Sequence, residues 1–215
     1  FTATNTGTAP VVATIVVTPH FENGSVTCDG PTKTFIITVN PTAEVNQPTG
    51  QVVCNGTATT AITFGTPNTG GTTTYTWTND QPTIGLAGSG TGDIPSFTAT
   101  NTGTAPVVAT IVVTPHFENG SITCDGPTKT FTITVNPTAQ VELPVNQVVC
   151  DNAPTLAVIF NTTNTGGTTT YTWTNDQTSI GLAASGTGDI PSFTAVNAIN
   201  APVIATINVT PHFEN

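Results

Sequence analysis

The sequence predicts an all-β chain of tandem antiparallel β-sandwich domains. Three observations carry this: a 96-residue repeat, runs in which apolar residues alternate with threonine, and turn-forming residues between those runs. Phe1, Phe97 and Phe193 stand 96 residues apart, and Cys28 and Cys124, Cys54 and Cys150, and Trp77 and Trp173 keep the same offset without a gap. Residues 1–96 and 97–192 differ at 19 positions. A period this long fits one small domain per repeat rather than one coil of a solenoid. The chain thus spans two periods and part of a third.

Within one period, "TKTFTITVNP" (128–137) places Phe131, Ile133 and Val135 on one face and Thr130, Thr132 and Thr134 on the other. "VVATIVVTPHF" (107–117) alternates Val107, Ala109, Ile111 and Val113 against Val108, Thr110, Val112 and Thr114. "TTTYTWTND" (72–80) sets Tyr75 and Trp77 against threonines. "TTAITFG" (59–65) and "SFTATN" (96–101) predict two more strands, and "EVNQPTGQVVC" (44–54) a broken first one. "NGT", "NTGG", "GSGTGD", "TGTAP" and "ENGS" supply the turns. About seven short strands at this spacing read as a sandwich. The candidate core comprises Tyr75, Trp77, Ile111, Val113, Phe131 and Ile133. Differences between copies fit this facing, because Ile36 becomes Thr132 and Val112 becomes Asn208, both on the outward face.

"VNPTA" follows the last strand at 39–43 and again at 135–139, and its proline ends the ladder. This divides the chain into 1–41, the C-terminal part of a preceding repeat; 42–137, a complete repeat; and 138–215, a following repeat without its last strand. Neither end can bury its core alone. The expectation is that a longer chain continues in both directions, with strand donation from neighbouring chains as the alternative.

Composition excludes several function classes. Charged residues make up 7%, with two lysines, no arginine and a net charge of −10. Such a chain has no electrostatic footprint for nucleic acid. No apolar run is long enough to span a membrane.

The run from "YTWTN" through "GLAGSGTGDIPSFTATNTGTAPVVATIVVTP" to "TCDGPTKTFTITVNP" resembles the PKD-like, Ig-related repeats of very large surface proteins in Bacteroidota. The resemblance covers the whole chain. It implies tandem Ig/PKD-like sandwiches at the cell surface or outside the cell, secreted by the type IX route, in adhesins, filaments or gliding-type proteins. Its implied role is that of a stalk, with no ligand specified. The expected function is therefore a structural or adhesive segment of an extracellular fibre, and not an enzyme. The alternative is a carbohydrate- or partner-binding repeat of a secreted multidomain protein. Expected partners are neighbouring repeats of the same chain and laterally associated copies.

Several residues invite a chemical reading. His116 and Glu118 share one face of a strand, and Asp125 in the next loop offers a third donor for a metal. Ser121, His116 and Asp125 contain the residue types of a hydrolytic triad, but no nucleophile elbow accompanies them. Trp77 and Trp173 have the chemistry to stack on sugar, although their parity with Tyr75 and Tyr171 assigns them to the core. Phe117 is the one aromatic with a candidate place on a polar face. Lys33 and Lys129 start a strand on its core-facing parity, where the stem can snorkel to solvent or the amine form an isopeptide bond. Asp80, Asp93, Asp176 and Asp189 lie in loops and are candidates to hold Ca²⁺ between modules, although no loop motif marks them. No cofactor is expected.

The cysteines leave two pairings open. Extracellular location favours disulfides for Cys28, Cys54, Cys124 and Cys150. Cys54 ends the first strand and Cys124 lies between the sixth and seventh, at opposite ends of a sandwich. Staples between successive domains are therefore favoured, and Cys54 with Cys124 is the rival.

Overall fold

The computed structural model describes all 215 residues as thirteen strands and two single-turn 3₁₀ helices, with no α-helix. The first stretch contributes β1 (Val11–Val17), β2 (His20–Asn23), β3 (Val26–Asp29) and β4 (Lys33–Val39). β1 pairs antiparallel with β4, and β2 forms a hairpin with β3. The middle stretch contributes β5 (Gln51–Cys54), β6 (Thr72–Asn79), β7 (Ser89–Thr91), β8 (Val107–Asn119), β9 (Ile122–Asp125) and β10 (Lys129–Asn136). They form one six-stranded sheet in the order β5-β10-β8-β6-β7, and β9 continues beside β8 where β10 stops. The last stretch holds β11 (Thr168–Asn175), β12 (Ser185–Thr187) and β13 (Ile207–Glu214), in the order β12-β11-β13.

Period-2 alternation is what makes β6, β8 and β10 strands, and it also determines which side is buried. Tyr75 and Trp77 on β6, Ile111 and Val113 on β8, and Phe131 and Ile133 on β10 are all buried. They belong to a fifteen-residue cluster drawn entirely from the stretch between Val45 and Val135. The opposite faces of these strands carry Thr74, Thr76, Thr78, Thr130 and Thr132 to solvent.

The other side of the cluster comes from Val45, Ile62, Phe64, Ile94 and Ala99. Here the structure departs from expectation. The stretches 59–65 and 96–101 are not continuous strands, and this layer carries only the isolated bridges Ala58–Thr98 and Ile62–Ile94. Side chains take over the intervening backbone groups. Thr59 Oγ1 accepts from Phe97 N at 3.0 Å, Ser96 Oγ donates to Thr59 O at 2.5 Å, and Asp93 Oδ1 accepts from Phe64 N at 2.9 Å. A backbone satisfied by hydroxyls and carboxylates has no need of a ladder. The resulting two-layered unit is sandwich-like.

A second departure concerns direction. The sheet is not antiparallel throughout, because β5 runs parallel to β10, with Gln51 opposite Ile133 and Cys54 opposite Asn136. The cause is the path of the chain. It enters the unit at one end and leaves at the other, so the first and last strands run the same way, and they are neighbours.

Candidate functional site

Two constellations stand out: a histidine cluster on the outer face of the sheet, and the contacts between successive units.

His116 lies on β8, opposite Asp125 on β9 and Thr74 on β6. Its Nδ1 lies 2.6 Å from Asp125 Oδ1, and its Nε2 lies 2.9 Å from Thr76 Oγ1. With Nδ1–H donating to the carboxylate, Nε2 is the ring nitrogen left to accept from the threonine hydroxyl. The cluster joins three strands across one face. Half of it recurs on each side, as His20 with Asp29 at 2.5 Å and as His212 with Thr172 at 3.0 Å. Ser121 is not a member, since it occupies the β8–β9 turn at φ 62°. Thr76 takes the place that a triad reading gives to Ser121. Nothing in the sequence singles it out, because every second residue of β6 is a threonine.

A hydroxyl on a histidine held by a carboxylate is the wiring of a nucleophile and its base. The surroundings do not continue it. Thr76 sits mid-strand, paired with Thr114 on one side and Thr91 on the other, so its neighbouring backbone donors belong to the sheet. Glu118 stands opposite Thr72 and Thr123 in the register and makes no hydrogen bond to His116, Asp125 or Thr76. No three His, Cys, Asp or Glu side chains come together anywhere in the chain.

The other expected site residues fall as follows. Trp77 lies buried over Gly90, where a Cβ would come within 2.2 Å of the indole, and Trp173 lies over Gly186 in the same way. Neither indole offers a face for stacking. Both indole N–H groups are buried without a partner. Phe117 is fully buried, correcting its reading as an aromatic on a polar face. β8 runs through Pro115 unbroken, so Phe117 keeps the parity of Ile111 and Val113. Lys129 opens β10 opposite Val113 and is exposed. The loop aspartates cap backbone groups of their own units: Asp80 accepts from Thr110 N at 2.7 Å and Asp189 from Phe160 N at 2.9 Å. All four cysteines are free. Cys124 lies opposite Phe117 and Cys54 opposite Asn136, while Val107 lies opposite Val135. Ten residue steps along β8 separate those ends, roughly 33 Å at the usual strand rise. A disulfide tolerates about 7 Å between Cα atoms, so Cys54 and Cys124 of one unit are out of reach of each other.

The joints are more informative. Asn68 is buried where the turn after "TP" meets the preceding unit. Its Oδ1 accepts from Glu44 N at 2.6 Å and Thr66 Oγ1 at 3.0 Å, and its Nδ2 donates to Thr42 O at 3.1 Å and Thr8 O at 3.4 Å. Thr69 N donates to the same Thr8 carbonyl at 2.9 Å. One amide therefore gathers the linker, its own turn and a loop of the unit before. Every contact recurs one period on. Asn164 accepts from Gln140 N and Thr162 Oγ1 and donates to Thr138 O and Thr104 O, and Thr165 N reaches Thr104 O. Gly70, at φ 76°, is required twice over, since a Cβ there would also meet Pro10 Cδ at 2.9 Å. Asn40 and Asn119 add a reciprocal pair of hydrogen bonds at 3.1 and 2.9 Å. Gly126 lets the linker close over the hairpin, for a Cβ would lie 1.7 Å from the Ala43 carbonyl oxygen.

No known protein family and no curated protein matches this sequence.

Proposed function

We propose that the chain is a segment of an extracellular fibre or cell-surface stalk built from tandem Ig/PKD-like β-sandwich modules, with a mechanical rather than catalytic role. The observation that carries this reading is the joint. The same asparagine makes the same four hydrogen bonds at Asn68 and at Asn164, so one geometry relates each unit to the next. Repeating one rigid operation along a chain generates a rod or a shallow helix. The low charge, the threonine-coated outer faces and the buried tryptophans agree with a passive, hydrated shaft. Resemblance to the surface repeats of Bacteroidota adds type IX secretion and a place among adhesins or filaments. Within this reading the cysteines act across joints, because Cys54 and Cys124 lie at opposite ends of a unit.

Small-angle scattering on the chain and on Asn68→Ala tests the rod. The native chain is expected to give an elongated particle with one repeated spacing. Removing the amide leaves Glu44 N and Thr42 O without partners, a cost of about 1–3 kcal/mol, and broadens the distance distribution at the first joint only. A globular particle, with units folded back on each other, would overturn the reading.

A further inference from the structure

One groove of the middle unit recurs in the last unit with a different lining. It lies between β5, the outer strand of its sheet, and the segment 60–63 of the second layer. It holds about 430 Å³, and Gln47, Thr49, Thr60 and Thr63 form its walls. The Gln51 side chain spans it. Its Nε2 donates to Thr60 O at 2.7 Å and its Oε1 accepts from Thr60 N at 2.8 Å, as the peptide group of a neighbouring strand would. Beyond that amide the edge is open, for Ala61 and Thr63 have no hydrogen-bond partner on either N–H or C=O. The last unit keeps this frame. Gln147 makes the same two bonds to Leu156, at 3.0 and 2.8 Å, and Ala157 and Ile159 are likewise unpaired.

The lining changes. Gln47, Thr49, Thr60 and Thr63 become Leu143, Val145, Leu156 and Ile159, four exchanges of polar for apolar in one groove. The four apolar residues are 95%, 87%, 76% and 58% exposed. A missing neighbour is not the reason, since all four counterparts are exposed in the middle unit, whose core is closed. Two exposed carboxylates arrive with them, because Asn46 becomes Glu142 and Asn55 becomes Asp151.

We propose that this groove of the last unit binds an extended segment of a partner protein by strand addition, the segment carrying apolar residues at alternate positions and basic residues at its ends. Free N–H and C=O groups along an edge call for an extended backbone. Leu156 and Ile159 stand beside that edge, and side chains of a paired strand alternate, so every second residue of the segment meets the apolar wall. The carboxylates select the sign of charge. They also select against a second copy as the occupant, because the chain has two lysines, no arginine and a net charge of −10. Threonines at the same positions leave the middle groove without an apolar wall. Binding is thus a property of one repeat and not of the shaft.

Isothermal titration calorimetry with a short synthetic peptide, valine at alternate positions and lysine at both ends, reads the outcome. The native chain is expected to bind one peptide. Leu143→Gln, Val145→Thr, Leu156→Thr and Ile159→Thr together are expected to weaken binding about tenfold or more, through lost apolar cover. That variant carries residues which the same positions already hold in the middle unit, so the fold accommodates them. The converse set, Gln47→Leu, Thr49→Val, Thr60→Leu and Thr63→Ile, is expected to create a second site in the middle unit. A peptide with glutamate in place of both lysines is expected to bind more weakly. A native chain that binds no peptide, or binds as well after the four exchanges, would overturn the proposal. So would a converse variant that still takes only one peptide, or a glutamate peptide that binds equally. Dimers in sedimentation that the exchanged variant loses would give the groove to a second copy, and would overturn it too. Each of these failures leaves the rod reading intact, because that reading rests on the joints.

Discussion

Residues 1–23 and 97–119 are the same words in two settings. In the middle unit the stretch from Val107 to Asn119 is one 13-residue strand, buried at every second position from Ala109 to Phe117. In the first it breaks at Thr18 and Pro19 into a seven-residue and a four-residue strand, with no residue fully buried. The difference lies in the partners. β10 holds the first half of β8 from Val107 to Val113, and β6 holds the second half from Ile111 to Glu118, on the other edge. The two overlap at only three residues, so removing β6 frees the chain at its proline. Local sequence proposes a strand here, and the neighbours decide its length.

This comparison can be broken most decisively in the core. Ile111 is fully buried and Ile15, its exact copy in sequence, is only half covered. Ile111→Ala is expected to cost about 2–5 kcal/mol, through lost burial and the cavity left behind. Ile15→Ala is expected to cost only a small fraction of that in the same urea titration. Equal losses would mean that the first stretch shares a core with the unit after it.

A smaller effect separates two glycines. Gly126 lies beneath the linker, and a Cβ there would overlap the Ala43 carbonyl oxygen; at Gly30 the nearest atom is the Pro19 ring, at 2.9 Å. Gly126→Ala forces backbone to move and is expected to cost about 1–3 kcal/mol. Gly30→Ala requires only a proline pucker to yield, so its midpoint should hardly shift. Should both midpoints move alike, the linker does not close over the hairpin.

The same contrast explains what the sequence discloses. β6, β8 and β10 are legible because each has one face in the core and one in water, and that asymmetry is written as alternation. The second layer is not. Its alternation reads as strand at 59–65 and 96–101, yet its hydrogen bonds go to the side chains of Thr59, Asp93 and Ser96, which alternation does not disclose. The parallel pairing of β5 with β10 leaves no mark on composition either, because it depends on where the chain enters and leaves the unit. Of the candidate site residues, His116 and Asp125 are legible as candidate metal donors, but Thr76 hides among its neighbours. Asn68 is the clearest omission. A buried asparagine in an "NTGG" turn looks like any turn asparagine until a preceding unit supplies the Thr8 carbonyl. Phe117 is buried because β8 continues through Pro115 and keeps the parity of Ile111 and Val113.

The smallest expected effect concerns Tyr75, which sharpens the comparison by tying a titration to the closed core. Tyr75 packs against Phe64, ring centroids 5.4 Å apart, in the unit whose core is complete. Burial raises its phenol above the ordinary 10.0; a hydrogen bond with Thr66 pulls the other way, and the charge of Asp93 adds to the rise. A raised folded value means that the unfolded chain loses this proton first. The contribution of Tyr75 is therefore fully present below pH 10.0 and is lost as pH climbs through the folded value. Stability measured by urea unfolding should fall with pH in that alkaline window, and Tyr75→Phe should flatten part of the slope because it leaves nothing to ionise. The hydroxyl meets Thr66, so the same substitution is expected to lower stability slightly at neutral pH. A slope unchanged in Tyr75→Phe would show that the phenol titrates as freely in the folded unit as in the unfolded chain, and that the closed core does not shield it.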